Sequence, residues 1–189
     1  NNEDAVIVCS DIDKQNWSLK NDASYQTLGK YGCLMVVADG MGGANAGEIA
    51  SSIVINTVKG CFSKDRICKI ELTEAAIYEQ LTLAVKESNN AIMEHIVTDP
   101  DSIGLGTTIV ITWVVAGNAY IAWCGDSRCY CYNQENGLNQ LTKDHSYVQE
   151  LIDKGEITAK QAFNHPDSNI ITKCLGDVDS ITEPDITTY

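Results

Sequence analysis

The segment from Cys33 to Ser51, Cys-Leu-Met-Val-Val-Ala-Asp-Gly-Met-Gly-Gly-Ala-Asn-Ala-Gly-Glu-Ile-Ala-Ser, constrains the fold more than any other part of the chain. Leu34 to Ala38 is a short apolar run, β-branched at Val36 and Val37. Such a run between turn signals predicts a strand buried on both faces. It stops at a charge, Asp39, followed by Gly40, Gly42 and Gly43. A carboxylate held at a buried strand end is partly stripped of water, which is costly unless it is paired or binds a cation. The glycines let the chain turn tightly and let backbone carbonyls approach whatever the carboxylate holds. From Ala46 onward, small helix-compatible residues predict a helix. Asp39 is therefore the first candidate for chemistry, and the question becomes which other acids can join it.

The remainder of the chain reads as an α+β domain. Ala5 to Cys9 predicts a strand with Glu3 and Asp4 at its entrance. Asp11 to Ser24 is a polar loop or hairpin. Its Asp11-x-Asp13-x-Gln15 is not a calcium loop, because Asn16 stands where the turn glycine is needed. A first helix is expected from about Ala46 to Lys59, with Ala50, Val54, Val58 and Cys61 on its apolar face. A second runs from about Thr73 to Val97, with Ile77, Leu81, Ala84, Ser88, Ile92 and Ile96 as its stripe, stopped by Asp99-Pro100. The period then changes. Thr107–Val115, Asn118–Cys124, Arg128–Tyr132 and Leu138–Leu141 predict an antiparallel meander with turns at Gly117-Asn118, Gly125-Asp126-Ser127 and Asn136-Gly137. Two short helices follow, each announced by a capping box, Ser146-x-x-Gln149 and Thr158-x-x-Gln161.

Composition narrows the function classes. With 189 residues and 44% hydrophobic content the chain can build a core of its own. A net charge of −13 disfavours nucleic acid and anionic membranes, and no apolar run is long enough to span a bilayer. The 8 cysteines show no Cys-x-x-Cys or other zinc spacing. Several lie in apolar strand runs, as small buried thiols do, which predicts a reduced, cytoplasmic setting. The absence of an initial methionine and the extended Ile-Thr-Thr-Tyr at the other end predict that both ends are cut.

Asp4, Asp39 and Asp126 each sit where a predicted strand begins or ends. Carboxylates without accompanying His or Cys ligands suit hard cations such as Mg²⁺ or Mn²⁺. Two such ions can activate a water and clamp the oxygens of a phosphate ester. Gly125-Asp126-Ser127 could instead mark a serine nucleophile with His145 or His165 as base. That chemistry wants the serine at a strand-to-helix turn, whereas Ser127 leads into another predicted strand. Arg128 could bind a phosphate or pair with a neighbouring acid.

Four ordered blocks then carry a resemblance: Asn2-Glu3-Asp4; Val37-Ala38-Asp39-Gly40-Met41-Gly42-Gly43 with Gly47-Glu48-x-Ala50-Ser51; Gly106-Thr107-Thr108; and Gly125-Asp126-Ser127-Arg128. Leu141-Thr142-x-Asp144-His145-Ser146, Gly155-x-Ile157-Thr158 and His165-Pro166 follow. Across nearly its whole length the chain resembles the metal-dependent serine/threonine protein phosphatases of type 2C, in their bacterial form. The resemblance implies a layered sandwich of two central, mostly antiparallel sheets flanked by helix pairs. Residues 1–189 would be a single catalytic domain, incomplete at both ends, with a flap over about 146–169. It implies a dinuclear Mg²⁺ or Mn²⁺ site in which Asp39 bridges both ions, Asp4 binds one and the Gly40 carbonyl the other. Glu3 would order metal-bound water, and Asp126 would belong to a third, looser metal site. The implied reaction is hydrolysis of phosphoserine or phosphothreonine in proteins, targets of a serine/threonine kinase, by in-line attack of water without a phosphoenzyme.

Three departures qualify it. Met41 stands where eukaryotic relatives carry a histidine proposed as general acid, so the proton donor is unassigned. The phosphate-gripping arginine that precedes the first block is absent. Two further metal aspartates, in a Ser-Asp-Gly strand end and an Asp-Asn pair, do not occur after Asp177. The other reading is a non-catalytic phosphatase-like module that binds a phosphoprotein or a kinase.

Overall fold

The computed structural model describes residues 2–17, 28–42, 46–99, 102–177 and 183–189. The expected strand at Asp39 is β2 (Cys33–Met41), and it pairs antiparallel with β1 (Asp4–Cys9) on one side. On the other side lie β3 (Gly106–Thr107) and β4 (Ile109–Val115), also antiparallel. The Thr107–Val115 run is thus split at Thr108. β4 turns through Ala116 and Gly117, both at positive φ, into β5 (Asn118–Cys124), the backbone twist that a tight hairpin requires. The terminal Ile-Thr-Thr stretch joins as the edge strand β8 (Asp185–Thr188), which pairs with β5. The main sheet therefore runs β1-β2-β4-β5-β8, with β3 attached to the end of β2.

Two helices cover one face of this sheet. α1 (Ala46–Cys61) buries Ala50, Val54, Val58 and Cys61, and α3 (Glu74–Thr98) buries Ile77, Leu81, Ala84, Val85 and Ile92. They share one core with Leu34, Val36 and Ala38 of β2 and with Trp113 of β4. Thr73 caps α3 by accepting from the Ala76 N–H at 3.3 Å. The short α2 (Lys64–Ile67), unexpected from the sequence, links them. There Arg66 holds Glu87 of α3 bidentately at 2.7 and 2.8 Å. Trp113 sits edge-on to Phe62 at 5.0 Å between centroids and donates its indole N–H to the Tyr31 carbonyl at 2.7 Å.

Three expectations need correction. β2 is buried on one face only: Leu34, Val36 and Ala38 point inward, while Met35 and Val37 are each 39% exposed. The helices pack on one side, and what packs on the other reaches only Val110, Ile121 and Trp123 near β5. The four-strand meander is two separate pieces, because β6 (Tyr130–Asn133) and β7 (Gly137–Gln140) form their own two-stranded sheet after the chain turns at Gly125. Of the two capping boxes, only Thr158–Gln161, before α5 (Ala159–Ala162), is complete. Before α4 (Tyr147–Asp153), Ser146 accepts from the Gln149 N–H, but the Gln149 side chain reaches Asp153. Much of the Asp11–Ser24 loop, and Pro100, lie outside the described residues. None of the 8 cysteines is in a disulfide, and no helix among the described residues is long and apolar enough to cross a membrane.

Trp113→Ala should destabilise the fold by about 3–5 kcal/mol, since it empties the largest site in the core and orphans the Tyr31 carbonyl. Leu138→Ala, at a side chain 65% exposed, should stay within about 0.5 kcal/mol. Urea denaturation of the two variants checks this, and equal losses would contradict the core described above.

Candidate metal centre

The antiparallel register of β1 and β2 sets Asp4 directly opposite Asp39. Both lie on the open face of the sheet, at the end where β1 starts and β2 finishes. Two like charges facing across a ladder are destabilising. Among the described residues no ion pair reaches Glu3, Asp4, Asp39 or Asp126. The Asp39 carboxyl is accordingly pushed above its ordinary range. Desolvation at the strand end is the first cause, then a hydrogen bond with Asp4, then the charges of Asp4, Asp126 and Glu3. Because Asp39 still meets solvent, the crowding of negative charge is the more telling of these. Asp126 is half-buried and raised as well, by burial first and then by Asp144, against the lowering effects of a backbone hydrogen bond and of Arg128.

The backbone around Asp39 is held firmly. Its N–H donates to the Thr108 hydroxyl at 3.1 Å, and its carbonyl accepts from the Thr107 hydroxyl at 2.8 Å and the Thr108 N–H at 2.9 Å. The Thr108 hydroxyl is 2.6 Å from that of Ser127, the residue after Asp126. This explains the break in the strand at Thr108: its hydrogen bonds go to the end of β2 and to the Asp126 turn. On the helix side, the Gly40 N–H donates to the Glu3 carbonyl at 3.2 Å, and Ser51 donates its hydroxyl to the same carbonyl at 2.7 Å. Gly40 meets the first turn of α1 so closely that a Cβ there would run into the Gly47 carbonyl. A Cβ on Gly47 would in turn collide with the Glu3 carboxylate.

Asp4, Asp39 and Asp126 are thus brought to one region, with Glu3 beside them, and the donors are all oxygen. That chemistry fits a hard divalent cation. The set is partial: among the described residues, no three His, Cys, Asp or Glu side chains close round a common point. Met41 follows on the far side of Gly40 and lines an apolar cavity of about 560 Å³ with Leu105, Gly106 and Cys174. Sequence reasoning gave no role to Thr107 or Thr108, whose only signal was membership of the ordered blocks, and weighed Ser127 and His145 only as a nucleophile and its base; all four instead bind the strand end or the turn beside Asp126. Arg128 pairs bidentately with Asp144, at 2.8 and 2.5 Å, in keeping with the second of its two expected uses.

Known proteins decide the family. A family model described as Protein phosphatase 2C matches residues 14–174. The chain belongs to the protein phosphatase 2C family. It is 37% identical over 160 residues to the serine/threonine phosphatase Stp of Listeria welshimeri, covering 82% of this chain and 62% of that protein. The solved structure of Stp1 from Staphylococcus aureus superimposes with a TM-score of 0.79 at 32% identity, covering 100% of this chain and 65% of that one. A PstP catalytic domain solved with two manganese ions superimposes at 0.70 with 29% identity, over 100% and 66%. The chain therefore spans less than two thirds of the Listeria relative's length. The two-sheet, helix-flanked architecture is that of this family, with the β6–β7 pair as the smaller sheet among the described residues.

Gly47→Ala separates close packing from helix propensity. Alanine is worth about 1 kcal/mol over glycine inside a helix, yet here its methyl group meets the Gly40 backbone and the Glu3 side chain. We expect a net loss of about 1–3 kcal/mol, as in an overpacked core, read from the denaturation midpoint. A stabilised variant would mean that the first turn of α1 can move freely off β2.

Proposed function

We propose that the chain is the larger part of a single protein phosphatase 2C catalytic domain that hydrolyses phosphoserine and phosphothreonine in proteins, with Mg²⁺ or Mn²⁺ as cofactor. The observation that carries this is the pair of unneutralised carboxylates, Asp4 and Asp39, opposed in register at the end of a rigid sheet. Family membership supplies the reaction class. The residues that would hold the ions are Asp39, Asp4 and the carbonyl of Gly40. Asp126 would serve a third ion. When bound, the ions supply Lewis acidity, activating water and neutralising phosphate charge.

The chain's own residues have definable tasks. Thr107 and Thr108 fix the Asp39 peptide, and so the point from which its carboxylate projects. Glu3, pinned through its carbonyl by Gly40 and Ser51, would order water beside the two aspartates. Residues 146–169 would form the flap bordering the cleft. We further propose a cytoplasmic setting and phosphoproteins made by a serine/threonine kinase as substrates. The net charge of −13 favours basic segments of such proteins over nucleic acid.

Two substitutions in the full-length protein test the reading. Asp39→Asn should lower turnover of p-nitrophenyl phosphate at least ~10³-fold, about 4 kcal/mol of transition-state stabilisation, while the fold survives. Activity near wild type in that variant would sink the assignment. Met41→Leu should leave rate and pH profile on the same ester nearly unchanged, because a thioether has no proton to give. A large loss with a displaced acidic or basic limb would assign Met41 a task that its chemistry does not suggest.

A further inference from the structure

His145 was a candidate base for a serine nucleophile, but Ser127 is committed to Thr108 at 2.6 Å. His145 instead grips a single residue at both of its polar groups. Its ring Nδ1 accepts from the Gly125 N–H at 3.0 Å, and its backbone N–H donates to the Gly125 carbonyl at 3.0 Å. Gly125 lies at φ +112°, fully buried, and a Cβ there would sit 2.6 Å from the Thr108 Cβ. A buried backbone N–H left without an acceptor is costly.

His145 is itself held from three sides. It stacks on Trp123 with centroids 6.0 Å apart and planes at 11°, and the Trp123 indole is tied to the Lys143 carbonyl at 2.8 Å. Its Nε2 faces Asp185 Oδ2 at 3.3 Å, close but poorly aligned, while Asp185 Oδ1 takes Lys173 at 2.8 Å. The His145 carbonyl accepts from the Thr172 N–H at 2.9 Å, beside the Ser146–Ile171 bridge that closes the base of the proposed flap. Burial keeps the ring below its ordinary pKa despite Asp185, so it is neutral at neutral pH. With Nδ1 accepting, the proton is on Nε2, facing Asp185.

We propose that His145 is a positioning residue for Asp126, joining the Gly125–Asp126 turn to the base of the flap, an inference that rests on the metal-centre reading above. Asp126 lies between two anchors. Gly125 is clamped by His145 before it, and Ser127 is bonded after it to Thr108, which in turn holds the Asp39 N–H. The backbone of the turn is thus fixed on both flanks, and only the carboxylate is left to choose its direction. Outer partners of this kind typically matter 10–100-fold for metal affinity or activity.

The test begins on metal-free, ¹⁵N-labelled full-length protein. A scalar coupling across the Gly125 N–H···Nδ1 hydrogen bond, with the proton on Nε2, is expected, and its absence overturns the proposal. Three variants follow. His145→Asn sets an amide oxygen where Nδ1 stood and should keep Mn²⁺ affinity and kcat within about threefold. His145→Gln and His145→Ala should lose about 10–100-fold in both, by calorimetry and on a phosphothreonine peptide, with KM unchanged. Equal losses in the Asn and Gln variants would show that no acceptor at that point matters and would overturn it. If these variants do not fold, Asp185→Ala decides: a loosened ring should weaken Mn²⁺ binding several-fold, and unchanged affinity is the overturning result. Asp39→Asn, measured alongside, separates the two ideas. Full activity there brings down the metal centre and this proposal together, whereas an inactive Asp39→Asn with indifferent His145 variants removes this proposal alone.

Discussion

Two carboxylates face one another across an antiparallel ladder, and the rest of the architecture answers to that arrangement. Asp4 and Asp39 cannot separate without sliding β1 against β2. A slip of one residue would turn Leu34, Val36 and Ala38 out of the core and Met35 and Val37 into it. The buried aliphatic face of β2 therefore enforces the repulsion at its end. A protein that spends packing energy to hold two like charges together gains if something positive sits between them. Among the described residues no Lys or Arg fills that place, although Arg66 and Arg128 both find acids elsewhere. The all-oxygen character of the cluster then selects for hard cations over zinc or copper.

Rigidity around the pair comes from hydroxyls and glycines more than from apolar packing. Thr108 gives up a regular ladder position and, with Thr107, bonds both sides of the Asp39 peptide. Gly40 and Gly47 let the first turn of α1 lie against the strand, so that Glu3 is trapped between them. Each of these contacts is short-range, but together they link the ends of β1 and β2, the break before β4, the turn after β5 and the start of α1. The Asp126 turn enters the same network through Ser127 and Thr108.

The features legible in the sequence were those whose cause is local. An acid ending an apolar run beside glycines is a chemical oddity wherever it occurs, and Asp39 is at such a place. The α1 and α3 stripes follow from helical spacing, and the Thr73 cap fixes where α3 begins. What failed had distant causes. Five apolar residues from Leu34 to Ala38 cannot say whether a second layer covers Met35 and Val37; that depends on where the β6–β7 hairpin lies. Arg128 to Tyr132 has strand propensity, but which sheet it joins is decided by the turn at Gly125 and the grip of His145 on it. The hydroxyl of Thr108 could not be assigned because its partners, Asp39 and Ser127, come from two other strand ends.

The open face of β1 and β2 gives the acids a particular electrical setting. Stepping by two along it, β2 shows Met35, Val37 and Asp39, while β1 shows Asp4, Val6 and Val8; the register pairs Val6 with Val37 and Val8 with Met35. The carboxylates thus stand at the edge of an apolar strip, with Val6 47% exposed beside them. In water that strip contributes little, since solvent screens the pair at short range. Any apolar surface laid over it would expel that water and lower the local dielectric, deepening both the repulsion between Asp4 and Asp39 and their attraction for a divalent ion. The repulsion is relieved once an ion is bound, whereas the attraction remains. Covering this face deepens both terms while adding the cost of stripping water from the charges, and it makes the uncharged core and the charged site parts of one energetic problem.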